Sequence, residues 1–290
     1  MEKQTTVLVD QLKFPEGPRW HEGKLWFTDY ATRRVMHVDL QGKVQTVVEV
    51  PDLATAFDWT PDGRLLIVSS GERRLLTLKD GNLVTFADMS SLVPYNCGEL
   101  VVDGQGRAYV GNAGYDVFKL GPGYQSPPKT GPLLLVTPEG DTRIVAEEMA
   151  FPNGMVITPD GNTLIVAESH AARLTAFTIE ADGSLSGRRV WAQFDEAAGE
   201  GRIAPDGMSL DADGAVWVAS PPTHEVLHVR EGAEIVDRIP LDTFPLACML
   251  GGADRRTLFI LTTEMLNPGD PNVRGRIETI PVDVAGAGRP

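Results

Sequence analysis

One short phrase recurs six times along the 290 residues of this chain: a few apolar residues, a tight turn usually built on Gly after Asp or Glu, then a β-rich run. It reads RWHEGKLWFTD from Arg19, WTPDGRLLIVSS from Trp59 and LVVDGQGRAYVGN from Leu100. It continues as MVITPDGNTLIVAES from Met155, MSLDADGAVWVAS from Met208 and MLGGADRRTLFILTT from Met249. The turn centres fall at Gly23, Gly63, Gly106, Gly161, Gly214 and Arg255, spaced by roughly 40 to 55 residues, which is the period of a solenoid or a propeller. Alternating apolar runs on both sides of each turn make every copy a strand–turn–strand unit. Six four-stranded antiparallel units use nearly the whole chain. The reading is therefore all-β: one six-bladed β-propeller domain over residues 1–290, with the first strand of each blade lining a central channel.

A length of 290 residues alone would suggest two domains at about 150 residues each, but the repeat overrides that expectation. Hydrophobic residues make up 42% of the chain and aromatics only 7%, a Val/Leu/Ile-rich balance suited to packing sheet on sheet. No apolar run reaches the roughly 18 residues needed to span a bilayer, and the N-terminal residues lack the basic-then-apolar pattern of a signal peptide. The two cysteines, Cys97 and Cys248, fall on units three and six, across the ring from each other. The expectation is two free thiols in a reduced, cytoplasmic protein. The net charge of −14, with no basic stripe, argues against nucleic acid and anionic membrane as partners. It is compatible with cation binding. Nothing in the sequence speaks to oligomeric state.

Residues 5–12 read as a strand ahead of the first repeat, and 275–283 as a last strand. An open sheet edge is a liability, so the N-terminal strand is expected to complete the sixth blade. Three loops interrupt the pattern: Gly121–Pro132, Trp191–Pro205, and the Pro/Gly-rich stretch Leu266–Arg274.

The repeats also serve as an internal ruler. Counting back seven residues from the turn acid, or its equivalent, reaches Thr55, Gly98, Asn153, Asp206 and Ala247. Glu16 holds the same place in the first unit, whose turn is one residue shorter. By propeller symmetry these six ring one end of the channel. Glu16, Asn153 and Asp206 carry side-chain oxygens in matching frames: FPEGP, FPNGM and APDGM. Any one of them reads equally well as a strand-start turn residue. Three in one register instead point to a hard divalent cation, since two carboxylates and an amide carbonyl suit such an ion and leave positions open.

FPEGPRW, FPNGMVITPDGNTLIVAES and PDGMSLDADGAVWVAS together resemble the gluconolactonase/regucalcin/luciferin-regenerating-enzyme family over essentially the whole chain. The resemblance implies a six-bladed propeller that opens lactones, with a catalytic divalent metal on the axis. It implies Glu16, Asn153 and Asp206 as metal ligands and Asp206 as general base. Oxygen ligands favour Ca²⁺, with Zn²⁺, Mn²⁺ or Mg²⁺ able to occupy the same shell. A small-molecule lactone is the expected partner. One departure stands out: the third unit usually reads N-D before its strand, whereas here Gly98 and Glu99 occupy those places, with Asn96 two residues earlier.

Asn112 and Tyr115, His170 and His224 follow second strands of units three, four and five. With Asn96, Gly98 and Glu99 they complete the candidate substrate residues. His170 and His224 attract interest because histidine titrates near neutral pH. No Ser sits in a G-x-S-x-G elbow and no phosphate or dinucleotide fingerprint occurs. The leading expectation is thus a metal-dependent lactone hydrolase. The alternatives are a different enzyme on the same scaffold, or a ligand-binding or regulatory propeller.

Overall fold

The computed structural model describes residues 4–116, 130–194 and 201–288. Among the described residues twenty-four strands form six four-stranded antiparallel sheets, the blades I to VI. Their first strands are Pro15–His21, Ala54–Trp59, Cys97–Val102, Pro152–Ile157, Met208–Leu210 and Phe244–Gly251. Blade VI is completed by the N-terminal strand Thr6–Leu12, which pairs with Gly275–Pro281 and sets Thr6 opposite Thr279. The ring is closed by the two ends of the chain, as the sequence requires. Short 3₁₀ turns at Ser169–Ala171 and Pro221–Thr223 follow the second strands of blades IV and V. Among the described residues no helix is long and apolar enough to cross a membrane.

The apolar patterning has a direct structural meaning. Successive side chains of a strand point to opposite faces, so Leu100 and Val102 pack toward blade II while Val101 packs toward blade IV. Each pair of neighbouring blades shares one buried cluster. Val35 and Phe57 join I to II, Val156 and Val216 join IV to V, and Phe27 and Phe259 join VI back to I. Burial is thus spread around the ring, and the axis is left for polar groups.

Two of the expected loops are shorter than their composition suggests. Gly131–Val136 is a strand, so the loop expected at Gly121–Pro132 ends early. A β-carbon on Gly131 would sit 1.8 Å from the carbonyl oxygen of Asn112, so glycine permits this close pairing. Residues 121–129 lie outside the described residues. Likewise Leu185–Gln193 runs through Trp191, whose side chain is buried between blades IV and V. The stretch 195–200 lies outside the described residues. Leu266–Arg274 is a loop, as expected.

Candidate active site

Five of the six first strands carry the same irregularity. In blades I, II, III, IV and VI, pairing with the second strand slips at the channel-mouth end, between Glu16 and Arg19, Ala54 and Phe57, Cys97 and Leu100, Pro152 and Met155, and Pro245 and Ala247. A bulge of this kind re-aims a side chain. In blades I and IV it accompanies a register residue, Glu16 or Asn153, that lines the channel cavity. The glycine after each expected ligand has a specific task. A β-carbon on Gly17 would meet the Thr55 carbonyl at 3.0 Å, one on Gly154 the Asp206 carbonyl at 2.4 Å, and one on Gly207 the Ala247 side chain at 2.3 Å. Each contact is with the same register position of the next blade. Glycine therefore sets how tightly the blades close around the axis.

Glu16, Thr55, Gly98, Asn153 and Asp206 line a single cavity of about 280 Å³. The sixth register residue, Ala247, is fully buried, and its neighbour Leu246 reaches the cavity instead. Glu99 adds a third carboxylate. The walls are Phe14, Tyr30, Phe151, Leu246, Leu266 and Pro268. A side chamber of about 60 Å³ opens beside Gly98 and is lined by Ser70, Asn96, Cys97 and Ala113.

The polar groups are held from behind. Asn153 donates from Nδ2 to Ser169 Oγ at 3.2 Å, and Ser169 donates to the Pro205 carbonyl at 2.7 Å, tying blade IV to the strand start of blade V. The Asn153 amide also bonds the Asp206 carboxylate. Glu16 accepts the Gly17 backbone N–H at 3.1 Å. Thr55 donates its hydroxyl to the Gly98 carbonyl at 2.9 Å and is committed there. Deeper in the channel lies Arg19, three residues past Glu16 and only 4% exposed. It donates to the Pro18 and Leu100 carbonyls and stands 3.9 Å from both the Asp58 and Glu99 carboxylates.

Charge is the dominant property of this cavity. Burial, then the charges of Asp206 and Glu99, push the Glu16 carboxyl well above the usual range. Burial, then Glu99, does the same to Asp206. Burial also raises Glu99, although Arg19 opposes it. Among the described residues no Lys, Arg or His pairs with Glu16 or Asp206. Nor do any three His, Cys, Asp or Glu side chains among them form a metal cluster on their own. The donor set is instead two carboxylates and one amide. Two half-buried carboxylates sharing a cavity, with no counter-charge among the described residues, are the environment a hard cation relieves.

The structure sorts the remaining candidates. Asn96 lines the side chamber, where its Nδ2 lies 3.5 Å from Ser70 Oγ. Gly98 faces open space: a β-carbon there would meet nothing within 4 Å. Asn112 is buried and committed to loop structure, donating to the Tyr95 and Asn96 carbonyls at 2.6 and 3.0 Å and accepting from Gly114. Tyr115 and His170 stack on Phe151 behind the cavity wall, with ring centroids 5.9 and 4.9 Å from it. Burial, then the charge of Arg202, pushes His170 down to about 4, so it is neutral at neutral pH and not a proton carrier there. His224 bonds the Thr243 carbonyl at 3.1 Å and packs on Phe244, away from the cavity. Cys97 and Cys248 are free and buried, and burial raises the Cys97 thiol to about 11, unlike an activated nucleophile.

Behind the wall, Glu168 is fully buried at the end of a blade IV strand. It accepts from Arg173 at 2.8 Å and from the Ala150 backbone N–H at 2.7 Å, fixing the corner from which Phe151 projects. The wall residues carry a sequence signal of their own. Phe14 and Phe151 each stand two residues before an expected ligand, in the repeated F-P-x-G frame.

Fold and site together define a six-bladed propeller with an acidic pocket on its axis. The chain belongs to the SMP-30/gluconolactonase/LRE-like family, whose profile matches residues 14–264. It is 26% identical to regucalcin of Xenopus laevis over 265 residues, covering 88% of this chain and 84% of that protein. It is 23% identical to pentonolactonase XacC of Haloferax volcanii over 296 residues, covering 99% and 96%. The fold superposes on the crystal structure of regucalcin, a calcium-binding protein of Agrobacterium tumefaciens, with a TM-score of 0.79, 20% identity, and coverage of 100% and 97%.

Proposed function

We propose that this protein is a divalent-metal-dependent lactonase. One observation carries the reading: Glu16, Asn153 and Asp206, from three blades, line one cavity in which no described residue supplies the two carboxylates with a counter-charge. The names of the relatives support both halves of it, a pentonolactonase for the reaction and a calcium-binding regucalcin for the ion. Glu16, Asn153 and Asp206 would hold the cation, with Ca²⁺ favoured by their hardness and Zn²⁺, Mn²⁺ or Mg²⁺ as alternatives. Once bound, such an ion supplies Lewis-acid polarisation of the lactone carbonyl and acidification of a water.

The protein's own residues do the rest. Asp206, whose carboxylate lines the same cavity, accepts the proton from the attacking water. The water oxygen bonds to the acyl carbon, the ring C–O bond breaks, and the proton passes to the departing alkoxide, giving the hydroxy acid. Ser169 keeps the Asn153 amide from rotating, and the Arg19 guanidinium offsets the charge of Glu99 at the cavity floor. The free, buried thiols on opposed blades support a reducing, cytoplasmic setting. The test is to strip the protein with a chelator and assay a lactone panel before and after adding back each cation. Loss of hydrolysis on stripping and recovery with one ion is the expected result. Activity that survives complete metal removal overturns the metal reading.

A further inference from the structure

We propose that the lactone this cavity accepts carries an apolar substituent, an alkyl chain or an aromatic ring, and not the hydroxyls of a sugar lactone. The inference rests on the lactonase reading and deepens it.

The cavity has two unlike halves. Its floor is polar, with Glu16, Glu99, Asn153 and Asp206. Above the floor the described walls are apolar. Phe14 and Leu246 belong to one apolar cluster with Val273 at the mouth, and Leu266 and Pro268 continue it outward. Phe151 faces them from blade IV, the blade opposed to blade I in a six-membered ring. Two polar groups are interspersed, and both are already engaged: the Thr55 hydroxyl bonds the Gly98 carbonyl, and the Tyr30 hydroxyl bonds Ser70. A ring with a hydroxyl on each carbon would bring several polar groups against these walls, and each one left unpaired is costly. An ester ring set on the floor with an apolar substituent between Phe14 and Phe151 leaves none.

Two further features point the same way. Phe151 adopts a left-handed backbone conformation, φ 62°, which is costly for an aromatic residue. The stack on His170 and Tyr115 and the Glu168 bond to Ala150 hold it there. The chain thus tolerates strain to aim one ring at the cavity. Leu266 lines the cavity and is 50% exposed, so its side chain is open to contact with a substituent. Gly98 widens the same space, since no side chain fills its side of the cavity.

The experiment uses the cation-loaded protein with γ-butyrolactone, γ-hexyl-γ-butyrolactone, dihydrocoumarin and glucono-1,5-lactone. A buried methylene strengthens binding by about fourfold. At least one of the alkyl and aryl lactones should therefore exceed both γ-butyrolactone and the sugar lactone in kcat/KM by ten-fold or more. Which of the two wins tells chain from ring. A sugar lactone that matches or exceeds both overturns the inference and leaves the lactonase reading intact. If no lactone is hydrolysed, the lactonase reading fails, and calorimetry with 5-hexyl-2-pyrrolidinone and 2-pyrrolidinone still decides the pocket: ten-fold tighter binding of the hexyl compound supports it, and equal affinity overturns it. In Leu266→Gln the preference for the hexyl over the plain ligand should fall about five-fold. An unchanged preference refutes the placement of the substituent at the mouth.

Discussion

Gly154 lies so close to Asp206 that a β-carbon on the glycine would sit 2.4 Å from the aspartate's carbonyl oxygen. The residue after one expected ligand therefore packs directly on the backbone of another. Gly154→Ala should push blade V outward and move Asp206 away from Asn153. Overpacking of this kind costs about 1–3 kcal/mol. The expected outcome is a folded protein with a lower Tm and a markedly weakened response to cations, read by thermal melts with and without added metal.

Gly98→Asn tests the open side of the cavity. The position has room for a side chain and no left-handed backbone, so the variant should fold with near-native stability. It restores an amide where the family usually has one. The expected outcome is a shift of kcat/KM toward hydroxylated lactones relative to aliphatic ones, with cation affinity retained. A ratio that does not move would remove position 98 from the substrate pocket.

Asp206→Asn separates holding the ion from moving the proton. An amide oxygen can still coordinate but cannot accept the proton, and loss of a general base typically costs about 10²–10⁴-fold in rate. Hydrolysis should fall by that range while equilibrium dialysis still finds bound metal. Wild-type turnover with metal bound would place the base elsewhere.

Cation binding should also be visible without any substrate. An ion that binds only the folded state stabilises it by mass action, by about 2.7 kcal/mol at a hundred times its Kd. Chelator-treated protein should therefore melt at a higher temperature as the cognate cation is added. Glu16→Gln should flatten that titration, because one of the two charges that attract the ion is gone.

Glu168 predicts a pH dependence of stability. Its burial alone would raise the carboxyl, but bonds from Arg173, the Ala150 N–H and Thr175 outweigh that and hold it below the ordinary value of 4.5. A carboxyl depressed in the folded state stabilises fully above its unfolded value, and that contribution fades as pH falls through the folded one. Glu168→Gln should be destabilised by about 3 kcal/mol near neutral pH, the scale for breaking a buried ion pair. Urea midpoints of variant and wild type should draw together in acid.

The repeat made the blades, the ring closure and the convergence of positions 16, 153 and 206 readable, because symmetry converts equal register into shared location. It said nothing of what stands between the blades at the mouth. Leu266 and Pro268 come from a loop outside the repeat, so no count could place them. Asn112 and His224 occupy the right strand ends, yet a buried amide satisfies nearby carbonyls before it serves a ligand, and His224 is turned toward Thr243 after a 3₁₀ turn. His170 illustrates the limit of residue type as a guide. A free histidine titrates near neutral pH, and burial removes that chemistry here.

The pairing of Thr6 with Thr279 spans 273 positions of sequence. Thr6–Leu12 is made long before the strand it pairs with: during synthesis it has no partner until Gly275–Pro281 has left the ribosome. Closing so large a loop is slow but adds little entropic cost beyond that of a loop half its size. Until it closes, blade VI presents an unpaired edge to its surroundings. The joint should be where thermal opening of the ring begins, and amide exchange along Thr6–Leu12 should report that opening before any other strand does.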